Sequence, residues 1–216
     1  MKRELDDQLC RKFQRLYRDR HGDLKSTAMC WGFDCGNGWF QVIDVLSELL
    51  TQHSADVYAS QVKEKFGSLH FYYSGGDKYT NGLVSSAQFL SSILCEICGS
   101  QALIQTKYTG WFTTRCKEHT KDYSDKEYVE LDVSRVAYLG FGKAWSTLVL
   151  ILMNSCDWRT EHNDMPATHL SITKEAGKVI VSHTGGDDFT CGMIDFIVRY
   201  ANITDENTGQ FLEDNR

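Results

Sequence analysis

Gln61-Val62-Lys63-Glu64-Lys65-Phe66-Gly67-Ser68-Leu69-His70-Phe71-Tyr72-Tyr73-Ser74-Gly75-Gly76-Asp77 is the stretch that decides the fold. Leu69, Phe71 and Tyr73 alternate with His70 and Tyr72, the period-two pattern of a half-buried strand over Ser68 to Ser74. Asp56 to Lys63 is also strand-like, and Glu64-Lys65-Phe66-Gly67 between them reads as a short turn ending on glycine. The stretch is therefore a hairpin. Toward the C-terminus, Gly75-Gly76-Asp77 stops the second strand, and Leu83, Ala87, Leu90 and Leu94 then recur at helical spacing, which predicts a helix from about Thr80 to Leu94. Toward the N-terminus, Ile43, Leu46, Leu49 and Leu50 form another helical stripe, with Gln41, Asp44, Ser47 and Glu48 on the outside. The glycine- and aromatic-rich Cys30-Trp-Gly-Phe-Asp-Cys35-Gly-Asn-Gly-Trp39 feeds that helix. A first helix from about Glu4 to Arg18 follows from Leu5, Leu9, Phe13 and Leu16, and His21-Gly22-Asp23 stops it.

The pattern recurs 110 residues later. Gly67 is answered by Gly177, Gly75-Gly76-Asp77 by Gly185-Gly186-Asp187, Thr80 by Thr190, Gly82 by Gly192, Glu96 by Glu206 and Gly99 by Gly209. Apolar positions fall in register as well, Leu69 with Val179 and Leu83 with Met193 among them. This predicts a second hairpin within Ala167 to His183 and a second helix from Thr190 to Ala201, as an internal duplication would produce. The plainer account is a strand, Gly-Gly turn and helix pattern used twice, but recurring turn glycines weigh for duplication because little else tolerates such backbone positions. Gly140-Phe-Gly-Lys-Ala-Trp145 matches Gly36-Asn-Gly-Trp39 loosely at an offset of 106, so four extra residues belong before the second hairpin, in the polar stretch Cys156 to Pro166.

Cys95-Glu-Ile-Cys98-Gly and Cys116-Lys-Glu-His119 are two ligand pairs, each with a two-residue gap, separated by the residues from Gly99 to Arg115. This spacing is close to that of tetrahedral zinc sites, since a tight knuckle aims both of its ligands at one ion. Three thiolates and one imidazole fill all four positions and leave none for water, so Cys95, Cys98, Cys116 and His119 read as a structural zinc set. Asp205 and Thr208 stand where Cys95 and Cys98 would recur, so the second unit is expected to be metal-free. Cys30 and Cys35 have a wider gap and no matching second pair, and read as packed thiols.

The chain has 216 residues, 42% hydrophobic and 24% charged, enough to bury a core as one large domain or two small ones. The formal net charge of −6 argues against a surface built throughout to grip phosphate backbones. A local basic excess does exist between Met1 and Lys25, with eight Lys/Arg against five Asp/Glu, and reads first as a solvated helix face. The densest apolar run, Trp145 to Met153, is too short to span a membrane. Met1-Lys-Arg-Glu-Leu-Asp-Asp lacks the apolar core of a signal peptide, which predicts a cytoplasmic protein with reduced thiols.

Candidate catalytic residues are few. His70 lies mid-strand beside tyrosines and His183 near a Gly-Gly-Asp turn, and neither has a serine, cysteine or aspartate at a motif-like spacing, so no catalytic residue is assigned.

Trp31 to His119 resembles a group of uncharacterised proteins from bacteriophages, prophages and bacteria. The resemblance rests on Cys35-Gly-Asn-Gly-Trp-Phe, on Gln61-Val-Lys-Glu-Lys-Phe-Gly-Ser-Leu-His-Phe-Tyr and on Cys95-Glu-Ile-Cys98-Gly followed by Cys116-Lys-Glu-His119. It implies a phage or bacterial cytoplasmic setting and the same four zinc ligands, and it carries no activity.

The expected architecture is α+β: two tandem helix, hairpin, helix units over residues 1–123 and 124–216, the first closed by the zinc motif, with a polar linker near Thr120 to Lys126 and the two hairpins packed or paired together. The expected role is a non-catalytic binding or regulatory protein acting on a protein partner. The alternative is a nucleic-acid-binding zinc protein using Lys107, Arg115, Lys117 and Lys121, and a small enzyme ranks last.

Overall fold

A computed structural model describes residues 1–101, 104–108, 111–120, 126–128, 131–163 and 165–212. The amphipathic N-terminal segment forms α1 (Arg3–Lys12), shorter than its apolar spacing suggests. The helix ends because the chain has work to do at Leu16 and Tyr17: the Leu16 carbonyl accepts the Ala59 N–H at 2.8 Å, and the Tyr17 hydroxyl lies 2.5 Å from that of Ser47. The next strand, β1 (Phe33–Asp34), has only two residues and no sequence signal. α2 (Phe40–His53) buries Ile43, Leu46 and Leu50 as expected, but Ser47 is buried too and donates to the Ile43 carbonyl at 2.6 Å.

The hairpin consists of β2 (Tyr58–Lys65) and β3 (Ser68–Ser74), antiparallel with Val62 opposite Phe71. β1 adds to it in parallel, pairing Phe33 with Val62, so the sheet has three strands in the order β1-β2-β3. The turn is the two residues Phe66 and Gly67, with φ of 54° and 79°, a left-handed pair matched to the strand twist. α3 (Lys78–Ser91) follows, capped by Asp77, whose carboxylate accepts the Thr80 N–H at 3.0 Å while the Asp77 N–H reaches the Thr80 hydroxyl at 3.3 Å. The segment between the two ligand pairs, given no element by the sequence patterns, contains β4 (Ile104–Tyr108) and β5 (Trp111–Thr114), and β6 (Lys126–Tyr128) pairs with the far side of β4. Most of the expected linker, residues 121–125, lies outside the described residues.

α4 (Lys143–His162) carries the dense apolar run on a helix of 20 residues, six more than α2, and so extends into the polar stretch where the extra residues were expected. It leads to β7 (His169–Glu175), β8 (Lys178–Thr184) and α5 (Asp188–Ala201). The bounds of β8 and α5 are those of β3 and α3 moved by 110. Ala176 and Gly177 repeat the left-handed turn with φ of 48° and 74°, and Asp187 accepts the Thr190 N–H at 3.1 Å as Asp77 does that of Thr80. The bridge Leu94 to Gln101 recurs as Thr204 to Phe211. Upstream, at the offset of 106, His53 lies 2.9 Å from Asp77 and 4.3 Å from the Tyr79 ring, while Arg159 lies 3.1 Å from Asp187 and 3.8 Å over the Phe189 ring.

The hairpins do not pair with each other. They belong to separate sheets, and it is α3 and α5 that bring the halves together. These helices cross where Gly82 meets the backbone of α5 and Gly192 that of α3, so two backbones touch with no side chain between them. The hairpins are left on the outer flanks, each against its own helix. One continuous core joins Leu46, Leu69 and Leu83 to Leu148, Val179 and Ile197. Among the described residues, no helix is long and apolar enough to cross a membrane.

Candidate metal centre

The first ligand pair leaves the end of α3 in a turn fastened on three sides. Within it, the Gly99 N–H donates to the Cys95 carbonyl at 2.7 Å and the Cys95 N–H to the Ser100 carbonyl at 2.8 Å. From β5, the Thr114 carbonyl accepts the Glu96 N–H at 3.0 Å, and the Thr114 hydroxyl donates to the Gly67 carbonyl of the hairpin turn at 2.6 Å. From the front of α2, the Gly38 N–H donates to the Glu96 carbonyl at 2.7 Å, the Gly36 N–H to the Glu96 carboxylate at 2.9 Å and the Trp39 indole to the Leu94 carbonyl at 2.9 Å. This last contact explains Gly36-Asn-Gly-Trp39. A Cβ on Gly38 would stand 2.1 Å from the Cys95 carbonyl oxygen and one on Gly36 2.2 Å from that of Glu96, so the loop lies flat on the knuckle only because both residues lack one.

The second pair comes from a single turn of 3-10 helix, Lys117–Thr120, that places Cys116 and His119 on one side, the His119 N–H donating to the Cys116 carbonyl at 3.0 Å. All four ligand atoms lie within 4.8 Å of one another. Cys98 Sγ is 3.8 Å from Cys116 Sγ, and His119 Nδ1 is 3.5 Å from Cys95 Sγ and 3.2 Å from Cys116 Sγ. A tetrahedral ion with bonds of about 2.3 Å to sulfur and about 2.0 Å to nitrogen requires edges of about 3.8 Å between sulfurs and about 3.5 Å between sulfur and nitrogen. The donors therefore stand close to the corners such an ion needs, and the cluster can hold a metal ion. Burial pushes the ion-free Cys95 thiol up to about 11. Burial also works on Cys98, but hydrogen bonds with Ser100, whose hydroxyl is 3.4 Å away, outweigh it and leave that thiol below its ordinary value. Binding an ion has to displace these protons.

The corresponding turn in the second half keeps the backbone and changes the chemistry. The Gly209 N–H donates to the Asp205 carbonyl at 2.9 Å and the Asp205 N–H to the Gln210 carbonyl at 2.7 Å. Where Cys95 would present sulfur, Asp205 turns its carboxylate inward to accept the Thr208 N–H at 2.8 Å, the Thr208 hydroxyl at 2.9 Å and the Asn207 N–H at 3.1 Å. The seat recurs too: the Trp145 indole donates to the Thr204 carbonyl at 3.2 Å and the Gly142 N–H to the Glu206 carboxylate at 3.4 Å. Sequence reading quoted the two Gly and Trp segments but missed their task, and the recurrence of the tryptophan was the signal that pointed to it.

The other candidates are not drawn into the cluster. Cys30 Sγ donates to the Thr27 carbonyl at 3.0 Å, and burial pushes the Cys35 thiol up to about 12. His70 stacks beside Tyr72 with 6.1 Å between ring centroids, and burial lowers its pKa. His183 Nε2 is 3.6 Å from Cys191 Sγ, a contact absent from the sequence reading. Burial and the neighbouring Asp188 hold that thiol above its ordinary value, the wrong direction for a nucleophile. Its counterpart in the first half is a hydrogen bond between Tyr73 and Asn81, so the position serves to tie strand to helix. Of the basic residues considered for nucleic acid, Lys117 is exposed and Lys121 lies outside the described residues. Comparison with protein-family models, with curated proteins and with solved structures finds no match to this chain.

Proposed function

We propose that the chain is a non-catalytic, zinc-stabilised binding protein that acts through contact with a protein partner, encoded by a phage or prophage and working in the cytoplasm of a bacterial host. The observation that carries this reading is the closed donor set of Cys95, Cys98, Cys116 and His119, within 4.8 Å of one another. A borderline-soft ion with no geometric preference of its own, zinc suits three thiolates and one imidazole, and such a set leaves no open position for substrate or water. Exposed aromatic residues, Trp31, Phe66 and Tyr138 among them, supply the side chains that protein interfaces favour. The two units are read as copies of one ancestral unit in which the first kept or gained the ion and the second closes its turn with Asp205.

Elemental analysis of the purified chain tests the metal: one zinc per chain is expected, and a chain without zinc, or one that keeps it after Cys95→Ser with Cys98→Ser, sinks the assignment. Affinity capture from phage-infected and uninfected bacteria, analysed for protein and nucleic acid together, tests the role. A protein partner retained after nuclease treatment supports it. Sub-micromolar binding of duplex or single strands at physiological salt would put the nucleic-acid reading first, against the expectation from a net charge of −6.

A further inference from the structure

Between the later turns of α3, the later turns of α4 and the start of α5 lies a cavity of about 420 Å³, lined by none of the four metal ligands and walled by Phe89, Trp158, Phe189 and Met193, with Asn154 and Arg159 among them. Its size and its mostly apolar wall with a few polar groups are those of small-molecule sites, which run from about 300 to 1,000 Å³. The wall leaves Phe89 50% and Trp158 57% exposed. The fold itself does not require this. At the matching places of the other half stand Arg199 and Gln52, and Arg199 is spent on Glu48 at 3.0 Å. One half of the molecule thus carries polar side chains at these places, and the other two large rings.

The rings are also held in place. Trp158 stacks on His162 at 4.5 Å and 13° between planes, which fixes the indole and leaves its other face available. Arg159 lines the cavity, and its guanidinium lies 3.8 Å over the ring of Phe189, another lining residue, and reaches both oxygens of Asp187 at 3.1 Å through Nη2. Nη2 also donates to the Met165 sulfur at 3.3 Å, Nε is buried without a partner, and among the described residues Nη1 makes no hydrogen bond. A planar cation layered on an aromatic ring, with Nη1 unspent and two further aromatic rings lining the same cavity, suits a flat apolar body that carries one acid group.

We propose that this cavity binds a small aromatic carboxylate, its ring against Trp158 and Phe89 and its acid group on Arg159 Nη1. The site is independent of the zinc reading. The test is calorimetric titration of the full chain with 2-naphthoate and with uncharged 2-naphthalenemethanol, repeated on Phe89→Arg with Trp158→Gln, which installs the residues of the other half. The expected result is 1:1 binding of naphthoate, weakened about tenfold or more both by loss of the charge and by the double substitution, each tenfold being about 1.4 kcal/mol. The comparison of the two probes needs no variant. Absence of saturable naphthoate binding to the wild-type chain, equal binding of the two probes, or undiminished binding to a folded double variant would overturn the proposal. So would a dimer that the double substitution dissociates, because a second copy would then be the occupant.

Discussion

Gly82 and Gly192 are reciprocal: a Cβ on Gly82 would stand 2.0 Å from the Phe189 carbonyl oxygen and one on Gly192 2.2 Å from that of Tyr79, each carbonyl lying three residues before the other glycine. The contact has the self-complementary form of a two-fold interface within one chain. Around it the Tyr79 hydroxyl donates to Asp195 at 2.5 Å, a bond across the same crossing.

Either Gly82→Ala or Gly192→Ala must push the two helices apart, and overpacking of this kind costs about 1–3 kcal/mol. The two substitutions should have similar effects and should not add when combined, since one displacement already opens the crossing for the other. Urea unfolding of the single and double variants measures this. Full additivity would mean that the contacts are separate.

Gly38→Ala should weaken metal binding without removing a ligand, because its Cβ would stand 2.1 Å from the Cys95 carbonyl oxygen. Partners that orient metal ligands typically matter by about 10–100-fold in affinity. Competition with a chromophoric chelator reads the change, and an unaltered affinity would show that the loop does not position the knuckle.

Asp187 caps α5 and holds Arg159. Burial opposes its charged form, but the Thr190 N–H and the Arg159 cation outweigh this and hold its carboxyl below the ordinary value of 3.8. A depressed folded-state pKa gives stability that is present in full above the unfolded value and is lost as pH falls through the folded one. Asp187→Ala should therefore cost about 1 kcal/mol at neutral pH, the usual worth of such a cap. The gap between variant and wild type should narrow below about pH 4. Unfolding both chains at neutral and acidic pH checks the sign, and a gap that widens in acid contradicts it.

Phe66 sits at φ 54° in the hairpin turn with 69% of its surface exposed, while Ala176 holds the matching place at φ 48°. Left-handed backbone costs a residue with a Cβ about 1–2 kcal/mol, part of which glycine returns through its freer unfolded chain. Phe66→Gly should raise stability by about 0.5–1 kcal/mol, read as a higher urea midpoint. A lower midpoint would show that the ring packs more than its exposure suggests.

Local order was legible because it depends on near neighbours in the chain. The alternation from Leu69 to Tyr73 and the stops at Gly75-Gly76 and Gly185-Gly186 announce strand, turn and helix wherever the chain goes next. The four donors were legible for the same reason, since a two-residue gap constrains both members of each pair. Even here, Ser47 was misplaced because its burial depends on a hydroxyl partner, Tyr17, far away in sequence.

The sequence by itself determined α2, α3 and α5, the hairpins β2–β3 and β7–β8, and which side chains can share an ion. Tertiary structure alone decided that α3 meets α5 while the hairpins stay apart, that β1 joins β2, and that Gly36 and Gly38 seat the metal turn. The physical reason is that an apolar face states only that it must be covered. What covers it is chosen by fit, here by two backbones able to touch where Gly82 and Gly192 carry no side chain, and fit is a property of two surfaces at once.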